Sequence, residues 1–258
     1  MGAIYQGRYI SGVAAGMKLK QLIDEKTITA DEAKVGYVGA YPYAEVISGY
    51  TAFFLGVRSI VPEAEMTVKY TNTWGSYALE KKYATQLINE GCVIISQHSD
   101  TTGPAVACEE VKGKHVVYHV GYNQSMADVA PTTYLTGCRI NWEPYISAAV
   151  EAVLSEKDIE SSLDANINGN DAGAGFDQSW VQMLEVNELI AAPGTKEKVE
   201  KLIGSFKKKE INVFQGDYTG VDPDNKEDVI SLKEGYQENE KSSAPTFHYV
   251  LRDVIHVE

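Results

Sequence analysis

Short apolar runs alternate with segments of helical apolar spacing through the first 142 residues. The runs "KVGYVGA", "EMTVKYTNTW" and "CVIISQHSD" are rich in β-branched and aromatic residues, and "HVVYHVGYN" and "TYLTGCRINW" continue the pattern. Such runs favour β-strands. Helices are expected between them, near residues 44–61, 76–91 and 103–111. Strands separated by helices predict an α/β fold, a parallel sheet with helices on both faces.

The segment before the first strand also has a helical pattern. In "GRYISGVAAGMKLKQLIDE", Ile10, Val13 and Met17 recur at the spacing of one helix face. Gly12 and Gly16 have no side chain, which lets another backbone approach closely. We therefore expect a helix over about residues 7–25 that packs tightly on a neighbour.

Residues 143–258 are less regular. "WEPYISAAVEAVLSEKD" predicts a helix with Ile146, Val150 and Val153 on its apolar face, and "TKEKVEKLIGSFKKKE" predicts an amphipathic helix with a lysine face. Between them, "DANINGNDAGAGFDQSW" has the Gly, Asn and Asp content that favours turns. The run "INVFQGDY" is expected to form a strand, and "APTFHYVLRDVIHV" to form a closing β-hairpin.

The composition argues against several classes of protein. The chain has 258 residues, of which 44% are hydrophobic and 23% charged, and its formal net charge is −13. This is a globular balance, and the negative charge argues against a nucleic-acid partner, because such binding depends on clustered Lys and Arg. No run reaches the roughly 18 apolar residues that a membrane helix needs. No signal-peptide pattern opens the sequence, and the chain itself is expected to be soluble.

Residues that could bind a metal or catalyse a reaction show no recognised spacing. The three cysteines form no C-x-x-C pair and the five histidines form no H-E-x-x-H motif. His98 and Asp100 lie two residues apart and could act as a base with its orienting carboxylate, but no nucleophile or phosphate-binding motif accompanies them. We expect no metal, no cofactor and no enzymatic activity.

Aromatic and polar side chains follow each predicted strand. In an open parallel sheet, the loops at the carboxyl ends of the strands diverge and leave a crevice for ligands. Aromatic rings with a few amides and charges are typical of a small-molecule pocket. The predicted ligand-binding residues are Tyr41, Tyr43, Glu45, Trp74, Gln97, His98, Asp100, Asn123, Arg139, Asn141 and Trp142.

Several of these stretches resemble one known family. "GRYISGVAAG", "AKVGYVGAYPYAEVISGYTAFFLGVRS", "TNTW", "EGCVIISQHSDTTGPAVACEE", "GYN" and "RINWEPY" occur in the order of the basic membrane protein family of ABC-transporter substrate-binding lipoproteins. The resemblance is strong from about Tyr5 to Lys157 and weaker beyond. It implies a fold similar to type I periplasmic binding proteins, in which two lobes close on a ligand.

The resemblance implies how the chain is divided. Residues 1–142 correspond to the second lobe, residues 143–160 to a crossover helix that normally packs in the first lobe, and residues 161–258 to an irregular segment, amphipathic helix and strands that complete the second lobe. Without the first lobe, the apolar face of the crossover helix needs another partner, and a second copy of the chain is one candidate. The alternative is that "FKKKEINVF" and the C-terminal hairpin cover it.

The resemblance also implies a function. The chain is expected to be all or part of an extracytoplasmic solute-binding protein of an ABC importer, anchored to the membrane as a lipoprotein in the parent protein, with the permease as partner. Well-known members are similar to purine-nucleoside receptors, which implies a nucleoside or a similar small polar ligand. Where those receptors place an aspartate and a lysine, this chain has Asn123 and Arg139. A ligand-sensing regulatory module of the same fold is the alternative.

Overall fold

The computed structural model describes residues 1–239 and 241–258. Its helices are α1 (Ile4–Asp24), α2 (Ala44–Arg58), α3 (Tyr77–Asn89), α4 (Gly103–Val111), α5 (Glu143–Leu154) and α6 (Thr195–Lys207), with short 3₁₀ turns at Ala30–Glu32 and Glu160–Ser162. Its strands are β1 (Lys34–Gly39), β2 (Glu65–Tyr70), β3 (Ile94–His98), β4 (Tyr118–Tyr122), β5 (Tyr134–Ile140), β6 (Asn166–Asn168), β7 (Asp171–Gly173), β8 (Val181–Met183), β9 (Thr219–Val221), β10 (Val229–Ser231), β11 (Val250–Leu251) and β12 (Ile255–Val257).

A seven-stranded sheet organises the fold, with strand order β12-β2-β1-β3-β4-β5-β8. The pairs among β1 to β5 are all parallel, and β12 adds to β2 in parallel as well. Only β8 in this sheet runs antiparallel, against β5. The predicted parallel sheet is therefore confirmed, with one antiparallel strand at its edge.

The strands alternate their side chains between two apolar layers. In β1, Val35 and Tyr37 belong to the core shared with α1 and α2, whereas Val38 belongs to the core that also contains Leu87 of α3. Because side chains in a strand point to opposite faces in turn, this pattern requires a helical layer on each side. The expectation of helices on both faces is confirmed.

Glycines set the distance between α1 and α2. A Cβ atom at Gly12 would overlap the carbonyl oxygen of Phe53, and one at Gly56 would overlap that of Tyr9. Both glycines have ordinary helical backbone, so their role is space rather than conformational freedom. The predicted close approach of a neighbouring backbone is confirmed, and α2 is that neighbour.

Two expectations for the C-terminal part are wrong. Residues 211–218 form no regular strand, and only a single bridge joins Phe214 to Tyr236. The run 244–257 does not form a hairpin, because β11 pairs with β9 in a separate three-stranded sheet while β12 joins the main sheet beside β2. The partners of both strands are distant in sequence, which a local pattern does not reveal.

Helix α5 presents its apolar face to solvent. Ile146, Val150 and Val153 are 51%, 53% and 63% exposed, and Ala152 is the one buried residue of the helix. Helix α6 packs instead on α1. The alternative in which the C-terminal part covers α5 is therefore wrong for the residues that the structure describes.

Gly12→Ala should lower the free energy of unfolding by roughly 1–3 kcal/mol or more, because the new methyl group meets backbone that cannot move without separating α1 from α2. Gly204→Ala is the matched control, since Gly204 is also inside a helix but has open space around it. That change should stabilise by about 0.5–1 kcal/mol. Urea unfolding followed by circular dichroism measures both, and equal effects at the two glycines would contradict the packing argument.

Candidate functional site

The residues predicted to bind a ligand lie at or just after the carboxyl ends of strands β1 to β5. In the strand order β2-β1-β3-β4-β5, the connection after β1 leads to one side and the connection after β3 leads to the other. The loops after these two strands therefore lead to opposite faces of the sheet and leave a crevice. Tyr41 and Tyr43 follow β1, and Asp100 follows β3. The topology thus brings together two loops that are separated by more than fifty residues.

Aromatic rings form a continuous row across this crevice. Tyr41 and Tyr43 stack with their centroids 4.9 Å apart, and Trp74 lies 5.9 Å from Tyr41. The row continues to His98 at 6.4 Å from Trp74, and His98 lies 4.0 Å from Tyr122. Tyr43 is the N-cap residue of α2 and is 54% exposed, whereas His98 is fully buried. The row therefore runs from solvent into the core.

His98 is a fully buried polar side chain without a hydrogen-bond partner. Neither ring nitrogen has one among the residues that the structure describes. Its Nε2 lies 3.9 Å from Oε1 of Glu45, beyond hydrogen-bond distance, and the ring packs against Gly49. Burial lowers the pKa of His98, partly offset by Glu45, and interaction with His98 lowers the pKa of Glu45. The pair thus offers a carboxylate and a neutral imidazole beside the aromatic row.

Gln97 supports the loop after β3 rather than facing the aromatic row. Its side-chain amide donates to the carbonyl oxygens of Ser99 and Thr101, at 2.9 and 2.8 Å. Since Gln97 alternates with His98 along the strand, it points to the opposite face of the sheet. Its contribution is to fix the loop that carries Asp100.

Glu80 fixes the same loop and was not predicted from the sequence. It is fully buried on α3 and accepts hydrogen bonds from the Ser99 hydroxyl and the Thr101 N–H, at 2.8 and 3.1 Å. Its other oxygen accepts from the N–H of Ser76, the N-cap residue of α3. The signal in the sequence was an acidic residue on the face of α3 that packs inward.

Asp100 and Asn123 lie at the ends of β3 and β4. The Asp100 N–H donates to the carbonyl oxygen of Trp74 at 2.8 Å, which links the Asp100 loop to the aromatic row. Burial raises the pKa of Asp100. Asn123 is exposed, has a left-handed backbone at φ 58°, and accepts a hydrogen bond from the Ile140 N–H. Asn123 thus ties β4 to β5 at the same edge.

The residues after β5 make their contacts elsewhere. Arg139 donates twice to the side-chain oxygen of Gln182 on β8, and Asn141 donates to the carbonyl oxygen of Ser179. Trp142 is the exposed N-cap residue of α5. The structure brings Tyr41, Tyr43, Glu45, Trp74 and His98 together, and it directs Arg139 and Asn141 toward residues 179–182.

A buried arginine lies directly beneath the aromatic row. The Arg8 guanidinium donates to the hydroxyl groups of Tyr37 and Ser96 and to the carbonyl oxygen of Gly121, at 2.9, 2.7 and 3.0 Å. Its Cζ also lies 5.9 Å from the centre of the Tyr122 ring. The only signal in the sequence was one charged residue within the apolar stretch "GRYISGVAAG".

Two cavities of about 420 and 390 Å³ are lined by residues outside the aromatic row. The first is lined by residues that include Tyr5, Gln6 and Lys209, and the second lies beside β11 and β12. Among the helices of the described residues, none is both long and apolar enough to span a bilayer.

Comparison with known proteins assigns the chain to a family. A family model described as "ABC transporter substrate-binding protein PnrA-like" matches residues 2–214. The chain belongs to this family. The resemblance inferred from the sequence is confirmed, and the PnrA-like family is one of substrate-binding proteins rather than enzymes.

Two curated relatives support the assignment. The chain is 30% identical over 201 residues to a putative ABC transporter glucose-binding protein of Haloferax volcanii, covering 77% of this chain and 46% of that protein. It is 29% identical over 212 residues to a purine-binding protein of Brucella abortus, covering 82% and 53%. The chain therefore spans about half the length of these curated relatives.

Solved structures show the same fold. A solute-binding protein of Aeropyrum pernix matches with a TM-score of 0.64 at 13% identity, covering 82% of this chain and 64% of that one. One from Conexibacter woesei matches with a TM-score of 0.59 at 15% identity, covering 81% and 63%. The expected periplasmic-binding-protein-like fold is confirmed by these neighbours.

His119, which is fully buried in β4, should make stability depend on pH. Burial, assisted by the charge of Arg8, lowers the pKa of His119 to about 3. The unfolded chain, with a histidine pKa of about 6.5, binds more protons between these values. Stability is therefore complete above about pH 6.5 and is lost as the pH falls toward 3.

Urea unfolding of wild type and His119→Gln between pH 7 and pH 5 tests this expectation. The wild type should lose about 2 kcal/mol more than the variant over that interval, from roughly 1.4 kcal/mol per pH unit once the unfolded histidine is titrating. Equal losses in the two proteins would show that His119 does not remain neutral in the folded state.

Proposed function

We propose that the chain contributes the ligand site of a substrate-binding protein of an ABC importer, and that the site is the aromatic row at the carboxyl edge of the sheet. The observation that carries this proposal is His98, a fully buried imidazole without a hydrogen-bond partner at the inner end of the row. A buried polar group without a partner is costly, so a ligand or water that bonds to it would be stabilised there.

The chemistry of the row suits a small ligand with a flat face and polar edges. Tyr41, Tyr43 and Trp74 offer aromatic surface, and Glu45 and Asp100 offer carboxylates that accept hydrogen bonds from hydroxyl or amine groups. A purine nucleoside has both features. The Brucella abortus relative is a purine-binding protein, which supports this choice, and the Haloferax volcanii relative, a putative glucose-binding protein, makes a sugar the second candidate.

Membership of the family supports a wider proposal. We propose that the whole protein lies outside the cytoplasm as a membrane-anchored lipoprotein and delivers its ligand to an ABC permease. Residues 1–142 and 161–258 would supply one lobe of a two-lobed receptor, and residues 143–160, with α5, would cross to the other. Arg139, Asn141 and Trp142 would then lie where the two lobes meet.

Ligand-observed NMR with a purine nucleoside, a purine base and a monosaccharide tests the ligand proposal. We expect weak binding of the nucleoside, because an open edge leaves much of its surface wet whereas good pockets bury about 70–90% of a ligand. Trp74→Ala should abolish the signal, since it removes the ring between Tyr41 and His98.

Trp142→Ala is the matched control, because Trp142 is an exposed tryptophan outside the row. It should reduce the signal less than Trp74→Ala. Binding of the monosaccharide alone would reject the nucleoside and keep the site. No binding of any of the three compounds, or equal binding by both variants, would reject the aromatic row as the ligand site.

We also propose that α5 mediates self-association of this chain. Each large aliphatic side chain that remains exposed forfeits roughly 1.5–3 kcal/mol of burial. Ile146, Val150 and Val153 lie on one face and are all more than half exposed, with Leu154 beside them at 80%. Contiguous exposed apolar surface of this kind is typical of protein–protein contacts.

Light scattering on wild type and Val150→Asp tests self-association. The wild type should form an oligomer, and the aspartate should dissociate it because a charge would be buried in an apolar interface. Val229→Asp on β10 is the control, since Val229 is also an exposed valine, at 43%, and belongs to the separate three-stranded sheet. A monomeric wild type would reject the proposal, and an oligomer that persists in Val150→Asp would exclude α5 from the interface.

A further inference from the structure

A second cluster of potential ligand atoms lies outside the part of the chain that matches the family model. Asp222 and Asp228 begin and end the loop between β9 and β10, and His248 lies just before β11. All three follow residue 214, where the match ends. The antiparallel pairing of both β10 and β11 with β9 brings the loop and the histidine to the same end of the small sheet.

The spacing of the three side chains is close to that of a metal site. Nε2 of His248 lies 3.7 Å from Oδ2 of Asp222 and 4.0 Å from Oδ2 of Asp228. One ligand atom from each of the three residues lies within 4.8 Å of the others. In a tetrahedral site with bonds near 2.0 Å, ligand atoms are roughly 3.3 Å apart. Small rotations of the side chains would therefore reach coordination distance.

Contacts outside the cluster hold the histidine in the orientation that a metal requires. Nδ1 of His248 lies 2.8 Å from the carbonyl oxygen of Thr246. Because a carbonyl only accepts hydrogen bonds, Nδ1 is a donor there, and Nε2 is the ring nitrogen that faces the two carboxylates. This backbone contact to the remote nitrogen is the usual support of a metal-binding histidine.

One carboxylate is oriented as well. The hydroxyl group of Tyr249 lies 3.2 and 3.3 Å from the two oxygens of Asp228 and donates to that carboxylate. In the part of the chain that the structure describes, no lysine or arginine forms an ion pair with Asp222 or Asp228. Two neighbouring carboxylates thus lack a cationic partner other than the histidine.

We propose that Asp222, Asp228 and His248 bind one divalent transition-metal ion of the zinc type. Imidazole nitrogen together with carboxylate oxygen suits zinc, whereas calcium and magnesium prefer oxygen ligands alone. Three protein ligands leave one position of a tetrahedral shell for water. The metal joins the β9–β10 loop to the segment before β11 and so stabilises the small sheet. The spacing of these residues in the sequence matches no metal motif, which is why the sequence did not predict this site.

Titration of the whole chain with zinc chloride tests the proposal, followed by calorimetry and by thermal unfolding with and without a chelator. One equivalent should bind with micromolar or tighter affinity and raise the unfolding temperature. His248→Ala and Asp222→Asn should each weaken binding at least about tenfold, and Tyr249→Phe should weaken it less, because it removes only the support of Asp228. Cobalt(II) should give the visible absorption of a tetrahedral site.

His256→Ala is the matched control, since His256 is exposed and its Nε2 lies 3.8 Å from one carboxylate, that of Glu65. It should bind zinc as the wild type does. Comparison of the variants in chelator establishes that each is folded before binding is compared. The absence of zinc binding by the wild type would reject the site, and so would equal binding by wild type and His248→Ala, which would indicate scattered surface carboxylates.

Discussion

The buried guanidinium of Arg8 is the constraint on which the rest of the molecule depends. An unpaired charge in a protein interior costs several kcal/mol, and in the described part of the chain no carboxylate forms an ion pair with Arg8. Two hydroxyl groups, one carbonyl oxygen and surrounding aromatic faces replace its water. These partners belong to β1, β3 and β4, so Arg8 fixes α1 against the strands whose ends carry the ligand-binding edge. The same charge helps to keep the imidazoles of His98 and His119 neutral.

Strands β1 to β5 of the central sheet were predictable because each is marked by a run of residues that are neighbours in the sequence. Each of β1 to β5 is an apolar run, and the helices between them have periodic faces of their own; α3, for example, has Ser76 as its N-cap residue and Gly91 just beyond its end. The tight contact of α1 with α2 was also visible, since glycine has few other reasons to recur on an apolar helix face. The pairing of β12 with β2 was not predictable, because it joins residues nearly two hundred positions apart, and short strands have weak patterns of their own.

The candidate site was predictable to the extent that the carboxyl ends of parallel strands meet at one edge. That rule predicts that Tyr41, Trp74 and His98 lie in one region, and the contacts between their rings agree with it. It did not separate side chains that face the crevice from those that support a loop, such as Gln97, or that engage a later segment, such as Arg139. Gln97 differs from its neighbour His98 because successive side chains of a strand point to opposite faces. Arg139 contacts β8, an antiparallel strand that the sequence pattern did not predict.

The position of β12 also bears on how the chain acquires its structure. Strand β2 has one neighbour, β1, that is adjacent in the order of synthesis, and a second, β12, that includes residues up to Val257. Until β12 leaves the ribosome, the outer side of β2 presents free N–H and C=O groups, which are a template for pairing with another chain. Pairing over such a sequence separation is also slow to form. The nascent protein therefore has an open sheet edge from the synthesis of β2 until that of β12, and Lys69, which forms ion pairs with Glu90 and Glu258, places a charge of the kind that discourages incorrect strand pairing there.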